Sequence, residues 1–148
     1  MPFRFSLQPV LRFRSSLERQ QELLLQEANQ KTSAVKRQIE TLDAHLAENA
    51  AASARDMKSG TSAAELHFEI LCRSVLLEHR RQLEMELAQC QEVGRRRSLE
   101  YRQARMQRET IDRLREQKLA AYQREETYRQ QQWLDELVLL RREYLRGR

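Results

Sequence analysis

Three histidines, two cysteines and 22 carboxylates are the side chains in this 148-residue sequence that could do acid–base, nucleophilic or metal chemistry. His45, His67 and His79 stand apart, and none has a second His or a Cys at metal-ligand spacing. Cys72 and Cys90 fall in one helical stretch. At about 1.5 Å rise per residue they are roughly 27 Å apart and cannot bridge within the chain. They read as small seam-filling residues of a reducing compartment. The carboxylates have the character of surface charges on solvated helices. The 3 glycines are scattered and form no loop that could cradle a phosphate. No catalytic constellation, metal site or cofactor site emerges, and the sequence points away from an enzyme.

Interaction chemistry is better represented. Arginine outnumbers lysine 23 to 4, and arginine holds planar bidentate contacts to carboxylates or phosphates. Eight arginines (Arg95, Arg96, Arg97, Arg102, Arg105, Arg108, Arg113 and Arg115) stand against Glu100, Glu109 and Asp112. That excess equals the formal net charge of +5. Such an arm suits an acidic protein surface; nucleic acid is the rival, but an aromatic or groove-reading motif is missing. A second candidate is the terminal stripe Trp133, Leu137, Leu140 and Tyr144, at i, i+4, i+7 and i+11 on one helix face. Trp and Tyr are typical interface anchors. Arg141, Arg142, Arg146 and Arg148 lie close by, so an interfacial membrane contact is also open. A third is a mixed face of Gln38, Leu42, His45 and Asn49 with Phe68, Cys72, Val75 and His79.

The elements that position these residues follow from composition. Ala, Glu, Lys, Leu and Arg make up 81 of 148 residues, and both prolines fall in the first nine positions. That is the composition of long helices, and it leaves too few turn residues for a sheet. The spacing predicts an all-α fold: a long antiparallel two-helix coiled-coil hairpin with a C-terminal helical overhang, forming one domain. Helices are expected at about 9–57 and about 62–145, joined by a turn at about 57–62. Gly60 suits the end of the first helix, and Ser62 with Glu65 has capping-box spacing for the second.

The expected seam of the first helix is Val10, Phe13, Leu17, Leu24, Ala28, Val35, Ile39, Leu42 and Leu46, with a one-residue slip near Leu24. On the second it is Phe68, Cys72, Leu76, Leu83, Leu87 and Cys90. It then thins at Gly94 and resumes through Tyr101, Ala104, Ile111, Leu114, Ala121 and Tyr128. Arg80, Arg97 and Arg108 make it a loose, partly polar seam. Folding back at residue 59 or 60 pairs positions whose numbers sum to roughly 119, so Leu42 meets Leu76 and Phe13 comes near Met106. The helices would span roughly 70 and 125 Å at about 1.5 Å per residue, leaving the second unpartnered beyond about residue 112. The opening MPFRFSLQPVLRFR is broken by arginines and reads as no secretory signal, and no run of 18 apolar residues spans a membrane.

The opening Phe3-Arg4-Phe5-Ser6-Leu7-Gln8, then Val10-Leu11-Arg12-Phe13-Arg14 and Glu18, resembles the start of the flagellar FliJ family. The turn Asp56-Met57-Lys58-Ser59-Gly60, the stretch from Phe68 to His79-Arg80 and the late Asp135-Glu136-Leu137 fit its pattern in order and spacing. The resemblance implies a soluble component of the flagellar type III protein export apparatus. It implies an antiparallel coiled coil similar to the stalk of the ATP synthase γ subunit, located in the cytoplasm at the membrane face of the flagellar base. It further implies that the helix ends enter the hexameric export ATPase FliI. The hairpin region would meet the cytoplasmic domain of the export gate FlhA, and export chaperones would be escorted.

On that basis Gln38, Leu42, His45, Phe68, Cys72, Val75 and His79 are the candidate gate contacts. Phe3, Phe5, Leu7, Arg12, Arg14, Trp133, Leu137, Leu140 and Tyr144 are the candidate ATPase contacts. His45 and Asn49 depart from the bulky aromatics, and Cys72 from the leucine, that suit such a docking surface. A basic nucleic-acid-binding coiled coil and a self-associating structural rod are the alternative readings.

Overall fold

The computed structural model describes residues 2–147, which form two helices, α1 (Gln8–Ser59) and α2 (Ala63–Arg146). These pack against each other as a hairpin, and among the described residues there is no strand. Each boundary lies within two residues of its expected place. Leu7 accepts the first helical bond, from the Leu11 amide at 2.9 Å. Pro9 thus sits in the first turn, where its missing N–H removes no helical bond. α1 runs to Ser59 and stops because Gly60 takes a left-handed conformation, φ 90°.

Ser62 then caps α2 as its spacing predicted. The Glu65 amide donates to Ser62 Oγ at 3.3 Å, and Glu65 Oε2 accepts from the Ser62 amide at 3.0 Å. Those bonds hold the Glu65 carboxyl below the usual carboxylate range.

Gly60 in the turn and Gly94 within α2 have opposite consequences. Gly60→Ala should destabilise the hairpin by about 1 kcal/mol, because a positive φ penalises any Cβ. Nothing lies within 4 Å of the added Cβ, so that cost is purely backbone. Gly94→Ala should stabilise by about 0.5–1 kcal/mol, since α2 is uninterrupted there. The new Cβ would lie 4.0 Å from Asn29 Oδ1, which is comfortable. Urea melts of the two variants beside the parent chain check both signs.

The chain divides into two compact units. The turn unit, Arg19–Arg102, buries Ala28, Val35, Leu42 and Leu83. Gln21, Leu25, Thr32, Ile39 and Leu46 of α1 and Leu76, Leu87, Cys90 and Arg97 of α2 are half-buried beside them. Arg80 Nε bonds Asp43 Oδ1 at 2.6 Å across the hairpin, and its other arm holds Glu84. Ser53 Oγ donates to Glu69 Oε2 at 2.6 Å nearer the turn.

The terminal unit comprises the described residues up to Glu18 and from Gln103 onward, and buries Phe5, Leu11 and Ala104. Arg108 bonds Glu18 across the helices and Asp112 Oδ2 at 2.9 Å along α2. Arg14 Nη1 donates to Gln107 Oε1 at 2.6 Å. Residues 2–5 lie back on α2: the Phe3 and Tyr122 ring centroids are 5.6 Å apart, and Lys118 Nζ is 5.9 Å from the Phe5 ring centre.

Four expectations need correction. First, no register slip occurs in α1. Leu11, Arg14, Glu18, Gln21, Leu25, Ala28, Thr32, Val35, Ile39, Leu42 and Leu46 alternate threes and fours, and each is buried or half-buried. Val10 and Phe13 point outward instead, Phe13 at 63% exposure. Arg14 and Glu18, which find partners on α2, fill the seam where apolar side chains were expected. Second, Phe68 and Cys72 lie outside, while Leu66 and Glu69 turn inward, Glu69 being drawn to Ser53.

Third, the cross-helix partners above have numbers that sum to between 121 and 126 rather than about 119. The cause is the turn: α1 outlasts its expected end and residues 60–62 make the reversal, centring it on Thr61. Asp43 therefore faces Arg80, so Leu42 lies near Arg80 rather than Leu76. Fourth, α2 keeps an intrachain partner beyond residue 112. The N-terminal segment covers it as far as Tyr122, which replaces Ala121 and Tyr128 on the inner face. Full exposure begins only at residue 127.

Candidate functional site

In the turn unit, α2 presents an apolar stripe that nothing within the chain covers. Phe68, Leu71, Cys72 and Val75 recur at i, i+3, i+4 and i+7, the spacing of one helix face, and all are exposed. Phe68 is 67% exposed. Phe68, Ile70 and Cys72 border a groove of about 510 Å³, whose α1 wall is Leu46, Asn49, Ala50, Ser53 and Met57. Ala50, Ala52 and Ser53 of that wall are small, which leaves space beside α2. Next to it, Gln38, Leu42, His45 and His79 line a depression of about 460 Å³ with Arg37 and Thr41. Val75 and His79 share the adjoining surface with Glu78.

The seven residues of the expected gate face are thus gathered in one unit, with Leu42 buried as floor rather than surface. Reading the sequence missed Met57, Ile70 and Leu71. Leu71 was detectable, because it completes the spacing of Phe68, Cys72 and Val75.

In the terminal unit, Trp133, Leu137, Leu140 and Tyr144 are all exposed on α2, as are Leu134, Val138, Leu139 and Leu145. The N-terminal members of the expected ATPase face are not beside them. Phe5 is 8% exposed beneath Lys118, Phe3 leans on Tyr122, and Leu7 is half-buried at the helix start. Arg14 is turned to Gln107, and only Arg12 is fully exposed. The N-terminal phenylalanines therefore brace α2 well before Trp133 rather than form one surface with it.

The arginine arm is less free than its charge suggests. In the turn unit Arg95 pairs with Glu92, and Arg97 with Glu100 at 2.9 Å. In the terminal unit Arg105 holds Glu109 at 2.9 Å and Arg108 holds Glu18. The Arg105 hydrogen bond keeps the Glu109 carboxyl below its usual range. Arg96, Arg102, Arg113 and Arg115 are exposed and make no salt bridge among the described residues. Half of the arm is therefore committed to the fold, which lowers the charge density a nucleic acid would meet.

Both cysteines are unpaired, Cys72 exposed and Cys90 half-buried. Among the described residues no three His, Cys, Asp or Glu side chains cluster as metal ligands, and no helix is long and apolar enough to cross a membrane.

The hairpin, its turn and its ordered motifs agree with the family whose model, the flagellar FliJ protein, matches residues 3–146. The chain belongs to the flagellar FliJ family. No curated protein and no solved structure matches it significantly. As a FliJ-family protein it is a helical component of the flagellar type III export apparatus. Within that family setting the two uncovered apolar faces of this FliJ chain become its candidate contacts.

Proposed function

We propose that this FliJ-family chain couples the hexameric export ATPase FliI to the cytoplasmic domain of the export gate FlhA, at the cytoplasmic face of the membrane beneath the flagellum. One observation carries the proposal: each unit has a large apolar face that is exposed among the described residues. Large exposed apolar patches mark docking sites, and two of them in separate units suit a link between two partners. The gate takes the turn-unit face around Phe68, Leu71, Cys72 and Val75, with Gln38, His45 and His79 at its polar edge. The ATPase takes the terminal face of Trp133, Leu137, Leu140 and Tyr144. The four arginines without salt bridges steer encounter with acidic loops. Phe3 and Phe5 act by holding α2 in place.

Mixing the purified chain with its cognate FliI tests this through ATPase rate and ring size. Stimulation and ring stabilisation are expected, with both lost in Leu137→Asp/Leu140→Asp and retained in Phe68→Ala/Val75→Ala. The second variant should instead lose binding to the FlhA cytoplasmic domain. Absence of stimulation and of ring stabilisation by the parent chain would overturn the ATPase assignment. Gate binding that survives the Phe68/Val75 change would overturn the gate assignment.

A further inference from the structure

The terminal stripe is flanked by a charge pattern that suits pairing between two helices. Trp133, Leu137, Leu140 and Tyr144 are spaced four, three and four, a repeat that a two-stranded seam uses. Glu136 flanks that seam on one side and Arg141 on the other, and neither makes a salt bridge among the described residues. Five residues apart on one helix, they lie about 140° apart around its axis and cannot meet. Five residues is, however, the offset at which flanking charges meet across a parallel pair of helices. The sequence repeats it at Glu143 and Arg148.

We infer that the terminal stripe is a pairing site for a second copy of this chain, joined in parallel. In that arrangement Glu136 of each copy faces Arg141 of the other, twice over, while the aromatic and leucine side chains fill the seam. An antiparallel pair would instead bring Glu136 against Glu143 twice, so charge selects the parallel form. The seam has only four apolar layers, which makes the pair weak and concentration-dependent. This site is the face proposed above for the ATPase, so self-pairing and ATPase docking exclude each other. The inference rests on the seam and its charges alone, and its test contains no ATPase, so either proposal can fail without the other.

Sedimentation equilibrium of the full chain reads the outcome. Mass should climb toward two chains as concentration rises to about 0.5 mM. Glu136→Arg and Arg141→Glu should each weaken pairing by about tenfold, since two attractive contacts become repulsive. An equimolar mixture of the two variants should restore it, because each then offers the other opposite charges. A chain that stays at single mass overturns the inference, as do single variants that pair as well as the parent. Binding to phosphatidylglycerol vesicles without any rise in mass would assign the stripe to a lipid surface and likewise overturn it.

Discussion

Leu83→Ala should cost the turn unit about 2–3 kcal/mol, whereas Phe68→Ala should cost less than about 0.5 kcal/mol. The two side chains are similarly apolar and sit on the same helix, so composition cannot separate them. Burial does: Leu83 is 5% exposed and Phe68 is 67% exposed. Truncating Leu83 removes apolar area and opens a void against the buried part of α1, to which Val35 and Leu42 belong. A single helix–helix layer has little else to absorb the loss, although water can reach the gap and keeps the cost at the lower end of the core range. Chemical denaturation followed by circular dichroism measures both variants. A Phe68→Ala loss as large as that of Leu83→Ala would mean that the stripe is structural, not a docking face.

Arg108→Leu should cost about 2 kcal/mol, and the added change Glu18→Leu should recover most of it. The Arg108 and Glu18 side chains retain only 24% and 16% of their exposure. Removing the guanidinium strands a partly buried carboxylate, and that desolvation dominates the loss. Replacing both with leucine removes the stranded charge and supplies apolar contact at the same seam layer. The pair gives little net stability against such a replacement, but it fixes which residues face each other. The Glu18 hydrogen bond also pushes the Arg108 pKa further up, so the cation never titrates in any usable range. Denaturation of the two single variants and the double gives the coupling directly; additive single losses would remove the argument.

The part of this fold legible from sequence was the part written in apolar spacing and turn chemistry. Leu17 to Leu46 and Leu76 to Ile111 announce a seam through threes and fours, and Ser62 with Glu65 announces a cap. Arg80, Arg97 and Arg108 were read correctly as polar members of the α2 seam. Their counterparts on α1 were not: Arg14 and Glu18 look like surface residues, so the neighbouring apolar Phe13 and Leu17 are the ones that spacing places in the seam. Glu69 misled in the same way near the turn, because its Ser53 partner lies on the other helix. The pairing offset, two or more in every cross-helix pair, follows in part from a turn centred one or two residues later than assumed. Of the candidate contacts, the turn-unit face was largely legible because its residues share one helical stripe. The N-terminal phenylalanines were not, since extended residues 2–5 have no periodicity that reveals what they cover.

That last contact sets an order of events during synthesis. Phe3 and Phe5 leave the ribosome well before their support, Lys118 and Tyr122, which follows more than a hundred residues behind. At about 5–20 residues per second, translation needs roughly 6–24 s to deliver them. Residues flanking Gly60 can meet as soon as the second helix begins to emerge, because so short a loop closes rapidly. The hairpin should therefore zip from its bend outward, with the earliest-made aromatics seated last. For those seconds the nascent chain shows two unshielded phenylalanines, a natural handle for a chaperone and a timer that ends only when residues 118–122 have been made.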